Sequence, residues 1–575
     1  MSPKRLDQLC RGIVLGAMVA AFAMMVTNLG HPSLKGLDES FHAVVAQHLI
    51  DHPLTPTLYE KPFLDFGDDW QHAHVWLHKP PVALWQMAAA MAIGGVNTLA
   101  MRLPSAILLC ASAWLTFCTV RRLANPAVAI VPAVIQLLLP ATWMLAYGYA
   151  FSDHVDVAML FWTQAAMLLL VRSVQTGHLS DAAWCGVAQG VAWLTKSHPA
   201  FIVTGVAAFL FLATRSNRFA PSPAKLSGRQ FVVLIGATLA TILPWTLYTA
   251  IRFPQEFAAS QGMILHHLTQ NVENFAAPWD RLLFDYLPQL NLQFLPIGLA
   301  AGVIVARAAW RDGKLLWLLP PAWWIGFIVP HVVAVAKTPS QTMPAIPALL
   351  MLIGLALAEV RRERFAAVTL LTSVLLAIVW RRHPETGGFG YPPDYHFGQI
   401  ARQNLWVIVE PAIAATVGFL SLPLRGRPGG GGGRLATPIT IEAPSPHLTS
   451  PRGRGTGMAI VIGLAILTVS AGRLCWQVTR IPDTGLALRQ IGPFVRGHLE
   501  PNVVLLVEEQ KKLERTTVMF YTARNAYAVT AETGRDVTAR VKAAGGVPYL
   551  LSARDLPLPI ALRSPSDGRT LYRIP

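Results

Sequence analysis

The 575-residue chain reads as a polytopic α-helical membrane protein. About 13 transmembrane helices are expected, with the N-terminus in the cytoplasm and the C-terminus outside (N-in/C-out). Interfacial helices are expected in the first outer loop, and a small C-terminal α/β domain outside the membrane. Three observations predict this class. Hydrophobic residues make up 53% of the chain and charged residues only 14%, against roughly 25% charged in soluble domains. The apolar residues gather in runs close to the ~20 residues that a helix needs to cross a bilayer. The connections between runs alternate from basic to acidic, as they do when Lys and Arg stay in the cytoplasm.

Lys4, Arg5 and Arg11 precede "GIVLGAMVAAFAMMVTNL", residues 12–29, which carries no charge. The run is longer than a signal-peptide core and no small-residue cleavage site follows, so an uncleaved first helix is expected. Further runs lie near 101–120, 128–147, 155–171, 182–195, 199–214, 230–250, 288–307, 314–333, 340–358, 366–380, 404–424 and 457–474. The apolar segment 82–95 is too short to cross and is expected to lie at the interface. On this topology the cytoplasmic connections carry Arg121/Arg122, Arg172, Arg215/Arg218/Lys225/Arg229, Arg307/Arg311/Lys314, Arg361/Arg362/Arg364 and the stretch from Arg425 to Arg454. Most of the acids fall in the opposite loops, and dropping one helix would destroy the asymmetry. An acid inside one run, Glu410 beside Pro411, stands out, because buried acids in membranes are rare.

Residues 1–475 are thus the expected transmembrane domain, with a first outer loop over 30–81. The Gly/Pro/Ser/Arg stretch 425–455 is the expected flexible cytoplasmic linker. Residues 476–575 read as the extracytoplasmic domain. Within them "NVVLLVEE", "TVMFYTARNAYAVT" and "VPYLLSARD" read as strands, and "TGRDVTARVKAAGG" as a helix with a glycine stop. Cys110, Cys118 and Cys185 sit inside apolar runs and Cys475 at the end of one, without a CxxC pattern or a disulfide framework. The formal charge of +16 is spread over short clusters between spans, which argues against nucleic acid as a partner.

Polar chemistry gathers on the outer side. "LDESFHAVVAQHL" puts Asp38 and Glu39 just beyond the first span; Lys79-Pro80-Pro81 ends the same loop. "YAFSDHVDVAML" puts Asp153 and Asp156 at the mouth of a span, and "WLTKSHPAF" puts Lys196 at a tight hairpin. Lys337 stands at a further outer helix end. Each has a plain alternative: Asp38 as a helix cap, Asp153 as a solvated helix end, Lys196 and Lys337 as headgroup anchors. Together they supply an acid to deprotonate an acceptor and cations to hold a departing phosphate.

The acid pair, the Thr-Pro turn, Lys-Pro-Pro and "GGVNTLAMRLPSAI" together resemble the GT-C lipid-linked glycosyltransferases of the protein O-mannosyltransferase and lipid A aminoarabinose transferase group. The likeness extends to Ala100–Ser105, "GVAWLTKSHPAF", "SDHVDVAMLF" and "LPWTLY". It implies a sugar donor on a polyprenyl phosphate, transfer to a lipid, glycan or protein acceptor on the non-cytoplasmic face of the cell membrane, and inversion at the anomeric carbon. It implies Asp38 as catalytic acid/base beside Glu39, Asp153 or Asp156 as second acid, and Lys79, Lys196, Lys337 and Arg102 as donor-phosphate ligands. Phe41-His42, His78 and Ser197 depart from the group, which usually has Arg-Tyr, Glu and Gly there.

No cofactor is required by this chemistry. A divalent metal such as zinc, held by His78, His266 and His267, is a separate expectation; a hydrogen-bonded histidine cluster is the alternative. A secondary transporter and a lipid-linked oligosaccharide polymerase or ligase are the rival classes. A transporter predicts an internal repeat, which the sequence lacks.

Overall fold

The computed structural model describes residues 1–31, 33–34, 38–64, 70–149, 154–219, 225–271, 276–379, 406–422, 451–480, 486–508, 514–564, 566 and 568–575. The first helix, α1 (Pro3–Leu29), starts where Ser2 caps it and Pro3 takes the first turn, where no N–H is needed. Two short helices follow, α2 (Asp38–His48) and α3 (Pro81–Gly94), then α4 (Thr98–Leu123), whose Asn97 cap accepts the Ala100 N–H at 2.9 Å. Proline starts both α5 (Pro126–Leu137) and α6 (Pro140–Ala146), and the two are bent by 49°. Next come α7 (His154–Thr176), α8 (Leu179–Lys196), α9 (Ile202–Ala213), α10 (Gly228–Arg252) and α11 (Pro254–Thr269). Further long helices include Phe294–Asp312, Leu319–Val333, Ile346–Glu359, Arg364–Val379 and Pro451–Val478.

Among the described residues, eight helices are long and apolar enough to cross a membrane, or nine if α5 and α6 form one span. The protein is a multi-span membrane protein. Apolar faces alone do not hold helices together in lipid, and close backbone approach and interhelical hydrogen bonds supply the rest. Gly186 and Gly190 of α8 let α10 approach so closely that a Cβ at 190 would lie 2.5 Å from Thr241 Cβ. Thr116 of α4, Gln136 of α5 and Gln164 of α7 bond one another at 2.5–3.1 Å inside the bundle. Glu410 is buried and accepts the Ser373 hydroxyl at 2.9 Å, tying two helices that follow the ion-paired Glu359.

The C-terminal part forms a five-stranded sheet of order β2-β1-β3-β5-β4, from β1 (Val503–Glu508), β2 (Ala526–Val529), β3 (Val547–Ser552), β4 (Ile560–Arg563) and β5 (Thr570–Arg573). β1 pairs in parallel with β2 and β3, and β5 pairs antiparallel with β3 and β4. Of residues 517–530, expected as one strand, 517–522 belong to the helix Glu514–Thr522, and Ala526–Val529 is the strand β2. The helix's Arg515–Thr522 side chains are all buried, between the sheet, α2 and the helix Leu486–His498, and that packing overrides their β propensity. The segment 254–269, expected as loop, is α11. Of the linker, residues 425–450 lie outside the described residues, and 451–455 begin the helix Pro451–Val478.

Among the described residues two large hydrophobic cores form, beside a small cluster of Ala83, Val155 and Ala158. One belongs to the membrane bundle. The other joins Phe41, Val44 and Val45 of α2 and Leu84 and Met87 of α3 to Val504, Leu506, Phe520 and Leu571 of the sheet domain.

Candidate active site

Asp38 is the first residue of α2, and adjacent residues on a helix project about 100° apart. The two carboxylates therefore go to different places. Asp38 is half-buried and lines a cavity of 1120 Å³. Glu39 turns inward, is 3% exposed, and takes a two-pronged ion pair from Arg102, Nε–Oε1 2.6 Å and Nη2–Oε2 3.0 Å. Gly148, at φ +69°, leaves the room this carboxylate occupies; a Cβ there would overlap it.

The predicted cations separate in the same way. Lys79 lines the cavity, half-buried, just before the Pro80-Pro81 start of α3. Lys79 has neither a hydrogen bond nor an ion pair among the described residues. Lys196, the last residue of α8, also lines the cavity, but its ammonium is bound to Asp156 in the first turn of α7. Asp156 is fully buried and near enough to Asp38 to feel its charge. Lys337 is 3% exposed and donates to the carbonyls of Ala277, at 2.9 Å, and Ala334. Burial holds its ammonium below the usual lysine value, against the counter-pull of Asp280. Neither Lys337 nor Arg102 is among the residues that line the cavity. Asp153 lies outside the described residues.

α8 stops at Ser197, whose φ of +63° is ordinarily glycine territory, and this sharp turn brings Lys196 and His198 onto the cavity wall. Beyond it the wall is apolar. Ile202, Val206 and Phe209 of α9 face Pro321 and Ile325 of Leu319–Val333, and Phe209 and Ile325 are also exposed on the outer face of the bundle. The sequence did not single out His331, Ser340 or Gln341, which line the cavity as well. The one available signal was His331, a polar residue within an apolar run.

The expected metal residues do not converge in the described part. His78 lines the cavity and stacks on Trp70 at 4.2 Å, while His266 is exposed on α11. The His267 side chain lies outside the described part, and among the described residues there is no group of three His, Cys, Asp or Glu suited to a metal ion.

The dolichyl-phosphate-mannose-protein mannosyltransferase family model matches residues 78–248, which include Lys79, Arg102, Asp156 and Lys196. Over 289 residues the chain is 25% identical to an undecaprenyl phosphate-alpha-4-amino-4-deoxy-L-arabinose arabinosyl transferase of Pseudomonas fluorescens, covering 48% of each protein. It is 25% identical to the lipid A galacturonosyltransferase RgtD of Rhizobium johnstonii over 42% of this chain and 49% of that one. The aligned part thus spans about half the length of these curated relatives. The fold matches ArnT from Cupriavidus metallidurans bound to undecaprenyl phosphate, TM-score 0.62 at 16% identity, over 98% of both chains. The fold of the chain is that of ArnT. A second structure, the oligosaccharyltransferase AglB from Archaeoglobus fulgidus, matches at TM-score 0.54 and 11% identity, over 94% of this chain and 69% of that one. The fold match fits the layout: a short helix carrying an acid sits between the helical bundle and a C-terminal domain.

Proposed function

We propose that this protein transfers a sugar from a polyprenyl-phosphate donor to a lipid, glycan or protein acceptor on the extracytoplasmic face of the bacterial inner membrane, with inversion at the anomeric carbon. The observation that carries this reading is the meeting of Asp38 and the unpaired Lys79 in one cavity whose far wall is apolar. The polyprenyl chain lies along Ile202, Val206, Phe209 and Ile325, and the phosphate meets Lys79 and Lys196. Asp38 takes the acceptor's proton as the acceptor oxygen attacks C1 of the sugar. The C1–O bond to the phosphate breaks with its electron pair going to the phosphate oxygen, where Lys79 offsets the growing charge. The names of the relatives, which act on undecaprenyl-phosphate sugar or lipid A, support the same class.

The reading includes thirteen spans with the N-terminus inside. Beyond the nine apolar candidates, it counts as crossings α8 and the shorter helices α9, Arg364–Val379 and Trp406–Leu420. The shared core supports it: the first outer loop and the sheet domain must lie on one side, so an even number of crossings separates them. Residues 1–475 then form the catalytic membrane domain, with 30–81 as its catalytic loop and 425–455 as a cytoplasmic linker, and 476–575 the extracytoplasmic domain. The reaction needs no cofactor; zinc on His78, His266 and His267 is a separate proposal, tested by elemental analysis of the purified protein.

The test is reconstitution in liposomes with undecaprenyl-phosphate-linked hexoses and pentoses, together with mass spectrometry of envelope glycolipids and glycoproteins with and without the protein. Transfer in the parent and none in a folded, membrane-inserted Asp38→Asn variant is expected. Parental turnover by Asp38→Asn would overturn the assignment, and solute uptake without a transfer product would favour a transporter.

A further inference from the structure

The Ala100–Ser105 motif gives α4 two polar side chains, Arg102 and Ser105, one turn apart. Both are buried, at 2% and 1% exposure, and neither reaches the cavity. Arg102 reaches one way. It grips Glu39 of α2 and also donates to the carbonyls of Leu29, at 3.1 Å, and Ser33, at 3.3 Å. Ser105 reaches the other way, to Nδ1 of His154 at 2.8 Å, and His154 Nε2 meets Gln86 Oε1 of α3 at 2.8 Å. Glu39 is the neighbour of Asp38; His154 opens α7 two residues before Asp156; and Gln86 belongs to the helix that follows Lys79.

We propose that the Arg102–Ser105 turn of α4 is the post that sets the spacing of the cavity's charged groups, holding Asp38 through Glu39 and Asp156 and Lys79 through His154. This rests on the transfer reaction proposed above. Arg102, Ser105 and His154 are positioning residues, not phosphate ligands or proton carriers. A buried two-pronged pair and a doubly bonded imidazole suit that task, because their partners fix direction as well as distance. Pro104, between them, contributes no N–H to the helix.

Removing half of the Arg102–Glu39 pair leaves a buried charge and risks the fold, so the test uses the neutral arm. Ser105→Ala deletes one hydroxyl and Ser105→Thr keeps it. Ser105→Ala is expected to lower the transfer rate by about 10–100-fold through misplacement of Asp156 and Lys79, with undecaprenyl phosphate binding unchanged within about twofold. Ser105→Thr is expected to recover most of the rate. Amide hydrogen exchange supplies a readout independent of turnover: the α7 segment 157–162 should exchange faster in Ser105→Ala than in the parent or Ser105→Thr, with the sheet domain unaffected. If Ala and Thr variants were equally slow, or if Ser105→Ala kept the parental rate and exchange, the post would be refuted. Should the parent itself transfer no sugar, the transfer reading fails, and the exchange comparison alone decides whether Ser105 braces α7.

Discussion

Lys79 and Lys196 line the same cavity, yet the structure predicts opposite outcomes for their removal. Lys79 has neither a hydrogen bond nor an ion pair among the described residues, so Lys79→Met breaks nothing already made. Its stability should stay within about 0.5 kcal/mol of the parent, as for other substitutions away from packed or paired positions. On the proposed reaction, what it removes is the cation facing the leaving phosphate. One such group in a water-poor site is commonly worth about 3–4 kcal/mol at the transition state, a loss of roughly 10²–10³ in rate. Lys196 is the reverse case: it neutralises Asp156, whose side chain is 1% exposed. Lys196→Met leaves that carboxylate buried and alone, at about 3–5 kcal/mol. The double variant Asp156→Asn/Lys196→Met should regain much of the stability. The assay is initial transfer rate in proteoliposomes beside thermal unfolding in detergent. A Lys79→Met protein that transfers within threefold of the parent, or that unfolds as readily as Lys196→Met, would refute the division of labour.

Ser197 holds a φ of +63°, so Ser197→Gly should raise the unfolding temperature by relieving about 1–3 kcal/mol of backbone strain; a lower temperature would show that the Ser197 side chain contributes more than the turn costs. Lys337 binds protons less readily folded than unfolded, so between its lowered value and the usual lysine value stability rises with pH. Lys337→Met should flatten that part of the stability–pH curve, measured by thermal unfolding across alkaline buffers, and an unchanged slope would discount Lys337 as its source.

Much of this was legible in the sequence because membrane burial writes itself in long apolar runs, and because these acids and lysines sit at helix ends that can be read from those runs. Asp38, Lys79 and Lys196 were named before any geometry, and all three line one cavity. What the sequence withheld was which charges are already taken. Arg102 and Lys337 look as available as Lys79 when written in a row, but one is bound to Glu39 and the other to two backbone carbonyls. Pairing depends on contacts between residues 63 positions apart for Arg102 and Glu39, and no local pattern carries that. The strand expected at 517–530 failed over 517–522 for the same reason: β-branched and aromatic residues buried on every side do not alternate, so the period of the element cannot be read from them. Ser197 was legible only as a departure from the family's glycine; the positive φ supplies its physical meaning.

The shared core recasts the role of the C-terminal domain. An 11-residue helix is too short to be stable alone in water, and α2 is also too polar to seek lipid. Its order must come from packing, and Phe41, Val44 and Val45 find that packing in the same cluster as the sheet residues Val504 and Leu506. Hydrogen bonds add direction. Ser40, two residues from Asp38, bonds Thr516 at 2.5 Å, and Tyr521 accepts the Leu34 N–H at 3.0 Å and bonds Thr98 of α4 at 3.1 Å. The C-terminal domain therefore clamps the helix that carries Asp38, on a face about 100° round from the one the Arg102 post holds. A helix braced from two sides can hold a carboxylate still, which is what the proposed transfer from a lipid-borne donor requires.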